Sequence, residues 1–491
     1  MRAPRVLLAF LVVSLLIPGA HAQAGPQETT IDHDTVWDGQ DQVVKDGVLN
    51  VTDNATLTIR GITVTLMNAS VNVEAGSKLI VESLPGRAAR FVGGDGPGWG
   101  ARVEGDFSFV GTESDPVVLD GLRGQTGKSG QTIFFQGGFT LLDGTGTLSH
   151  VIVTNYSAGF LAGEGGTLNA DHATFNSTSG VAALVSRATG NFTNVDFHGA
   201  GGTLFVTVPS VPVRMQNLSF EGAGTALTVR GSILHIRDVN VRDSATCFLA
   251  IAGDILDFDG FTCTNFTSHA VDLEPAQVGN QGTPELHLKH FSIRTESPVD
   301  SAVLSVGGKN LTLADGALGP IAGNALRVAS AGFNLTNVTF TGVTGFGAAI
   351  TDLPRNDTLP VLPANAGAMG NFQLLKTSVF RVRDSRGVNL TGENFTAYYT
   401  SNGTIAFQQT NVSLAAFRLP LEFQRIDGSG HATNVTYRIE AQDGPDTGTM
   451  KDFYPDGREW VLTVHTKNAP GVALVPALGA VLVALALRRR R

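Results

Sequence analysis

An apolar phrase recurs through the middle of the chain about every 22 residues. Its last large apolar residue falls at Val153, Phe175, Phe197, Phe220, Val241, Cys263, Ile293, Leu318 and Phe340. The intervals between these positions are 22, 22, 23, 21, 22, 30, 25 and 22. Five residues earlier every position is apolar, from Leu148 to Leu335, and two residues earlier all are apolar but Gly316. Period-2 alternation repeated at a fixed length describes short strands stacked coil upon coil, each coil burying its inward side chains against the next.

Three residues before each of these positions stand His150, His172, Asn194, Asn217, Asp238, Gly260, His290, Asp315 and Asn337. These residue types tolerate positive φ more readily than others. One left-handed residue between two short strands turns the chain sharply and leaves both neighbouring side chains pointing inward. The column reads as a structural ladder whose stacked polar side chains bond one another along the shaft. A further strand follows each phrase, at 203–208, 226–230, 248–251, 270–273 and 325–328. The expected fold is all-β, a parallel β-helix in which nine coils spaced by about 4.8 Å make a shaft of about 40 Å. The interval of 30 from Cys263 to Ile293 leaves room for a projecting loop near 275–284.

Phrases such as Phe333-Asn334-Leu335-Thr336-Asn337-Val338-Thr339-Phe340 and Phe192-Thr193-Asn194-Val195-Asp196-Phe197 resemble the right-handed parallel β-helix family, pectate-lyase-like and NosD-like proteins with Asn-rich bends. The resemblance spans residues 100–351 and implies a right-handed coil, in keeping with the rule for parallel crossovers. Residues 23–99 alternate too, notably in 48–83, and look like an N-terminal cap with lead-in coils, set off by the Gly/Pro-rich stretch 93–100. Such a cap covers strand edges that would otherwise stay unpaired. Residues 352–371 read as a linker. Residues 372–467 carry strand-like runs near 395–399, 404–408, 434–439 and 460–464, the pattern of a small β-sandwich. Its opening, Val382-Arg383-Asp384-Ser385-Arg386-Gly387, resembles carboxypeptidase-regulatory-like and Ig-like modules.

Both ends address the chain to a membrane. Arg2 and Arg5 precede an apolar run at 6–17, and Ala20-His21-Ala22 offers a cleavage site, so 1–22 read as a secretory signal peptide. Residues 468–491 read as a membrane anchor, a single C-terminal transmembrane helix: 17 apolar residues at 471–487, then four arginines that hold the C-terminus on the cytoplasmic side. The stretch Ala469-Pro470-Gly471-Val472 resembles the archaeal PGF-CTERM sorting signal, with Pro470 and Gly471 as its processing motif and Val472 where that family has Phe. Without the six terminal arginines, 28 basic residues face 43 acidic ones, a net charge of −15. That balance excludes a nucleic-acid binder as the default class. Charged residues at 16% and 59 glycines exclude helical bundles and coiled coils, while 42% hydrophobic residues exclude wholesale disorder.

Solenoids of this kind include polysaccharide lyases and glycoside hydrolases, which need a carboxylate cluster, sometimes with Ca²⁺ and a basic residue, or a carboxylate pair. The local candidates are Asp254, Asp257 and Asp259 with Arg237 one coil below. Asp257 and Asp259 alternate with inward Leu256 and Phe258, so they face outward, where an Arg237–Asp259 salt bridge between rungs accounts for them. The R-x-P-x-x-R and G-H-G phrases of pectin-degrading enzymes are missing from the sequence. His150 and His172 become neighbours on the ladder, and no three ligands converge in sequence to imply a metal or other cofactor. Cys247 and Cys263 are expected as buried free thiols, displaced from one another around the coil. Seventeen N-x-[ST] tripeptides occur among 26 asparagines. Ladder positions such as Asn217 and Asn337 spell the motif automatically; Asn50, Asn54, Asn356, Asn402 and Asn434 lie in turn-like stretches and are the glycosylation candidates.

The expected function is that of a non-catalytic, membrane-anchored surface glycoprotein acting in adhesion or in carbohydrate or partner binding at the cell envelope. A surface-anchored polysaccharide lyase or hydrolase is the alternative, and a passive envelope-layer component the third. The mature chain is expected to begin at Gln23, which N-terminal sequencing or intact mass of the exported protein checks.

Overall fold

The structure, a computed structural model, describes residues 27–465 less 95–97, 130–131, 164, 178, 208–212, 232–233, 253–254, 275–283, 306–309, 330–331, 352–371, 413–415 and 428–430. The signal-like start with Ala22, the loop at 275–283, the linker, and the tail with Pro470 and Gly471 lie outside the described residues. No helix among the described residues is long and apolar enough to cross a membrane.

The left-handed column is as the sequence predicts. His150, His172, Asn194, Asn217, Asp238, His290, Asp315 and Asn337 all have φ between 49° and 53°, and Gly260 has 82°. Each sits in the middle of one apolar phrase and divides it into two strands at a sharp bend. Leu234–Arg242 lies on Ile255–Thr264 in parallel, with Arg237 opposite Asp259 and Val239 opposite Phe261, so the bend residues Asp238 and Gly260 stack between the two faces. The third strand of each coil follows, and Thr225–Arg230 pairs in parallel with Thr246–Ala252. Three parallel faces therefore wrap the shaft: a first face of the short separate strands, then second and third faces on either side of the bend. The result is an all-β parallel solenoid of about 12 turns, which at about 4.8 Å per turn is nearly 60 Å long.

The gain over nine coils comes from the N-terminal region. Gly47–Val51, Thr56–Arg60 and Thr63–Met67 are the three faces of a full coil, with left-handed Gly61 between the last two in place of an Asn, Asp or His. Ser70–Val73 pairs with Gly100–Val103, and Lys78–Glu82 with Asp106–Val110. The parallel ladder thus runs through the Gly/Pro-rich stretch, and the lead-in coils are built like the rest.

Inside, equivalent positions stack in register. Phe175, Phe197 and Phe220 lie nearly parallel, 5.2 and 4.5 Å apart by ring centroid. All three are fully buried, the kind of burial whose truncation to Ala costs about 3–5 kcal/mol.

The cysteines correct the sequence reading. Cys247 and Cys263 are joined in a disulfide, with Cα atoms 6.3 Å apart. They lie on the first and third faces of one coil, and 16 residues is most of a turn. The chain has come back round to meet itself across the core, so a displacement along the perimeter became a short chord through the interior.

After the solenoid, two small sheets face each other over a shared core that includes Phe380, Phe395, Phe417, Tyr437 and Leu462. One carries Ala432–Asn434, Phe417–Ile426, Phe372–Asp384 and Glu459–Val464 in that order; the other carries Ile405–Val412, Glu393–Tyr399, Tyr437–Asp443 and Asp446–Phe453, all antiparallel. The predicted run at 434–439 is broken in two, because Ala432–Asn434 and Tyr437–Asp443 belong to different sheets. Phe372–Asp384 belongs to both units. Its start pairs in parallel with the last coil strand Ala348–Thr351, and its end pairs with Glu459–Val464. Phe372, Leu374 and Ile426 complete the solenoid core, and the Arg425 guanidinium lies 5.5 Å from the centre of the Phe346 ring.

A disulfide closing a loop of this size contributes about 3 kcal/mol. Cys263→Ala is expected to lower the unfolding free energy by about that amount, measured by denaturant titration, and adding reductant should then leave the variant unchanged while destabilising the wild type.

Candidate functional site: the outer surface of the bend ladder

Where the second and third faces meet, the bend residues project outward as a polar ridge. The His150 and His172 rings stack with centroids 4.8 Å apart and planes within 4°. Asp171 accepts from Asn194 Nδ2 at 3.0 Å and lies 3.0 Å from His172 Nδ1. Asn217 Nδ2 donates to Asn194 Oδ1 at 2.6 Å, and further along Asn337 Nδ2 donates to Asp315 Oδ1 at 2.9 Å. Gly260 interrupts the column, since a Cβ there would come within 2.7 Å of Asp238 Oδ1.

Beside the first rungs of this ridge lies a groove of about 470 Å³. His150, His172, Asn194 and Asn217 line it together with the third-face side chains Ile152, Thr174, Asp196 and Ser219. Thr112, Glu113 and Pro116 contribute from the preceding coil. Their loop is braced by Asp115, whose N–H donates to Thr112 Oγ1 at 3.0 Å and whose Oδ2 accepts from Gly86 N at 3.1 Å. Gly111 is needed at its root: a Cβ there would sit 2.5 Å from His150 O. Spacing alone does not reveal this groove, because one side comes from an irregular loop outside the repeat.

The catalytic candidates lie farther along, on the second face, and the structure pairs them with histidines. Asp257 Oδ1 lies 3.0 Å from His287 Nδ1, and Oδ2 lies 3.9 Å from His235 Nδ1 of the coil below. Glu285 holds the other His287 nitrogen at 3.0 Å. Asp259 pairs with His290 at 2.6 Å rather than with Arg237, which corrects the expected rung-to-rung salt bridge. Arg237 is opposite Asp259 in the backbone register and exposed, but the bend swings His290 back over the carboxylate. Asp254 lies outside the described residues. Among the described residues, no group of three or more His, Cys, Asp or Glu side chains converges as a metal site.

Hydrogen bonding to Asp259 raises the pKa of His290 above the ordinary imidazole value, with its charge and that of Asp315 adding to the effect. Elsewhere on the solenoid, burial raises Asp272 and Glu274, and the charge of Asp272 pushes Glu274 up further. This half-buried pair on the first face went unremarked in the sequence, where the only signal is two acids flanking inward Leu273.

Of the sequon candidates, Asn54, Asn402 and Asn434 are exposed. Asn402 is engaged in its own turn, accepting from Thr404 N at 3.0 Å. Asn50 is half-buried within the strand Gly47–Val51 and bonded to Glu28, so it is not the turn residue expected. Asn356 lies outside the described residues.

No family model, curated protein or solved structure matches this chain.

His290 is expected to stay protonated to a higher pH than an isolated histidine, and Asp259→Asn to lower its pKa; an NMR titration of its imidazole checks both. Since the folded value lies above the unfolded one, the pair's contribution to stability is present below about pH 6.5 and fades as pH rises through the folded value.

Proposed function

We propose that the chain is an exported, membrane-anchored surface glycoprotein of the right-handed parallel β-helix kind. It binds an extended, hydroxyl-rich ligand such as a polysaccharide along the bend ladder, without turning it over. The observation that carries this reading is the groove beside His150, His172, Asn194 and Asn217, where donors and acceptors recur coil after coil. Hydroxyls both donate and accept, so a floor of imidazole, amide and Thr or Ser groups suits them. Among the described residues no aromatic side chain other than the histidines lines the groove, so affinity would rest on hydrogen bonds and on repetition along the shaft rather than on stacking.

The engagement of Asp257 and Asp259 with histidines supports a binding role over a lyase or hydrolase there. The Cys247–Cys263 bridge supports export, because disulfides persist in oxidising compartments. The 17 sequons and the acidic ectodomain support a glycosylated, soluble exterior. The two-sheet module, Ig-like or carboxypeptidase-regulatory-like by resemblance, serves as capping piece and spacer between shaft and anchor.

Purified full-length chain is screened against acidic and neutral polysaccharides, following binding, unsaturated-product absorbance and reducing ends, with and without Ca²⁺. The expected result is binding without turnover, weakened at least fivefold by His172→Asn, which keeps a residue suited to the bend, and by Asp196→Ala. Turnover abolished by Asp257→Ala or Asp259→Ala would sink the non-enzymatic reading. Absence of both binding and turnover would favour an envelope-layer component.

A further inference from the structure

Among the described residues of the two-sheet module, one buried carboxylate lacks a hydrogen-bond partner. Along Glu393–Tyr399 the residues Glu393, Phe395 and Ala397 are buried on one side, so Glu393 points the same way as the core phenylalanine. It is 2% exposed, and neither carboxylate oxygen has a hydrogen-bond partner. The antiparallel register pairs Asn394 with Gln442, which puts Asp443 across from Glu393 on the neighbouring strand. Its negative charge acts directly on Glu393. On the other side Glu393 pairs with Val412, next to Asn411. Asn411 itself is exposed and its N–H donates to Asn394 Oδ1 at 3.3 Å, on the outer side of the strand. Asp384, on the facing sheet, is unlike Glu393: it accepts from Arg386 N at 2.8 Å, Val388 N at 2.9 Å and Arg386 Nε at 2.9 Å.

A buried carboxylate with bare oxygens beside a second carboxylate is unfavourable on two counts, lost hydration and like-charge repulsion. Protonating Glu393 removes the charge and still leaves a buried O–H and C=O without partners. A hard divalent cation answers both, since it fills the bare oxygens and turns the repulsion into shared attraction. Carboxylates from two strands completed by water form an all-oxygen set of flexible spacing, which suits Ca²⁺ better than the strict octahedron of Mg²⁺. We propose that Glu393 and Asp443 bind one Ca²⁺ at the rim of the module, with water reached past half-buried Asp443 completing the shell. This site is independent of the groove and of whatever the groove binds.

Calorimetric titration of CaCl₂ into chelator-treated full-length chain at pH 7.5 tests it. One site per chain is expected, weakened at least tenfold by Glu393→Gln and by Asp443→Asn, with Mg²⁺ at least tenfold weaker than Ca²⁺. Both variants should melt, without calcium, at or above the calcium-free wild type, because each removes an unmatched charge; this separates a lost site from a lost fold. The proposal is overturned if no calcium site is found, if the site persists unchanged in both variants, or if both variants melt well below the calcium-free wild type.

Discussion

The regular part of the shaft depends on one backbone conformation repeated at the same place in nine successive coils. A residue at φ near 50° costs an ordinary L-amino acid free energy, yet nine coils accept it, because it bends the chain within a single residue. The bend lets strands on two faces share one inward side-chain pattern without a loop between them. Coil length is then held close to constant, so equivalent residues fall directly above one another. The phenylalanine stack inside and the amide and imidazole column outside are two results of the same register.

Ordering outside and packing inside are coupled in the same way. A residue lost or gained inside one phrase would shift Phe197 off Phe220 or Asn194 off Asn217, whereas the intervals of 23 and 21 residues leave the phrases themselves in register. The tolerated irregularities lie elsewhere, such as the loop carrying Thr112, Glu113 and Pro116 and the long interval after Cys263. The repeat makes a uniform wall, and a departure from it gives that wall a local groove.

This division explains how much could be read from residues alone. The bend column and its φ values, the inward alternation and the positions of the first-face strands were legible, because each follows from local geometry that recurs. The first coils were underestimated since their left-handed residues, such as Asp46 and Asn68, stand at another corner than the middle of the apolar phrase, where the repeat was sought. The disulfide was missed because the coil was treated as a perimeter, and the closeness of Cys247 to Cys263 exists only across the interior. The partner of Asp259 was missed for a related reason: backbone register places Arg237 opposite, whereas side-chain direction at a left-handed bend brings His290 over it. At Glu393, nothing in the surrounding sequence marks an acid that occupies a core position.

The strand Phe372–Asp384 joins the last coil at one end and lies parallel to Glu459–Val464 over six residue pairs at the other. A pull on the chain beyond Val464 would draw one strand from its C-terminal end, while the solenoid holds its partner from the N-terminal end. Two parallel strands loaded from opposite ends share the force across all their bonds at once instead of parting them singly. The joint between shaft and module is thus a lap joint in shear, the arrangement in which a short sheet resists tension best.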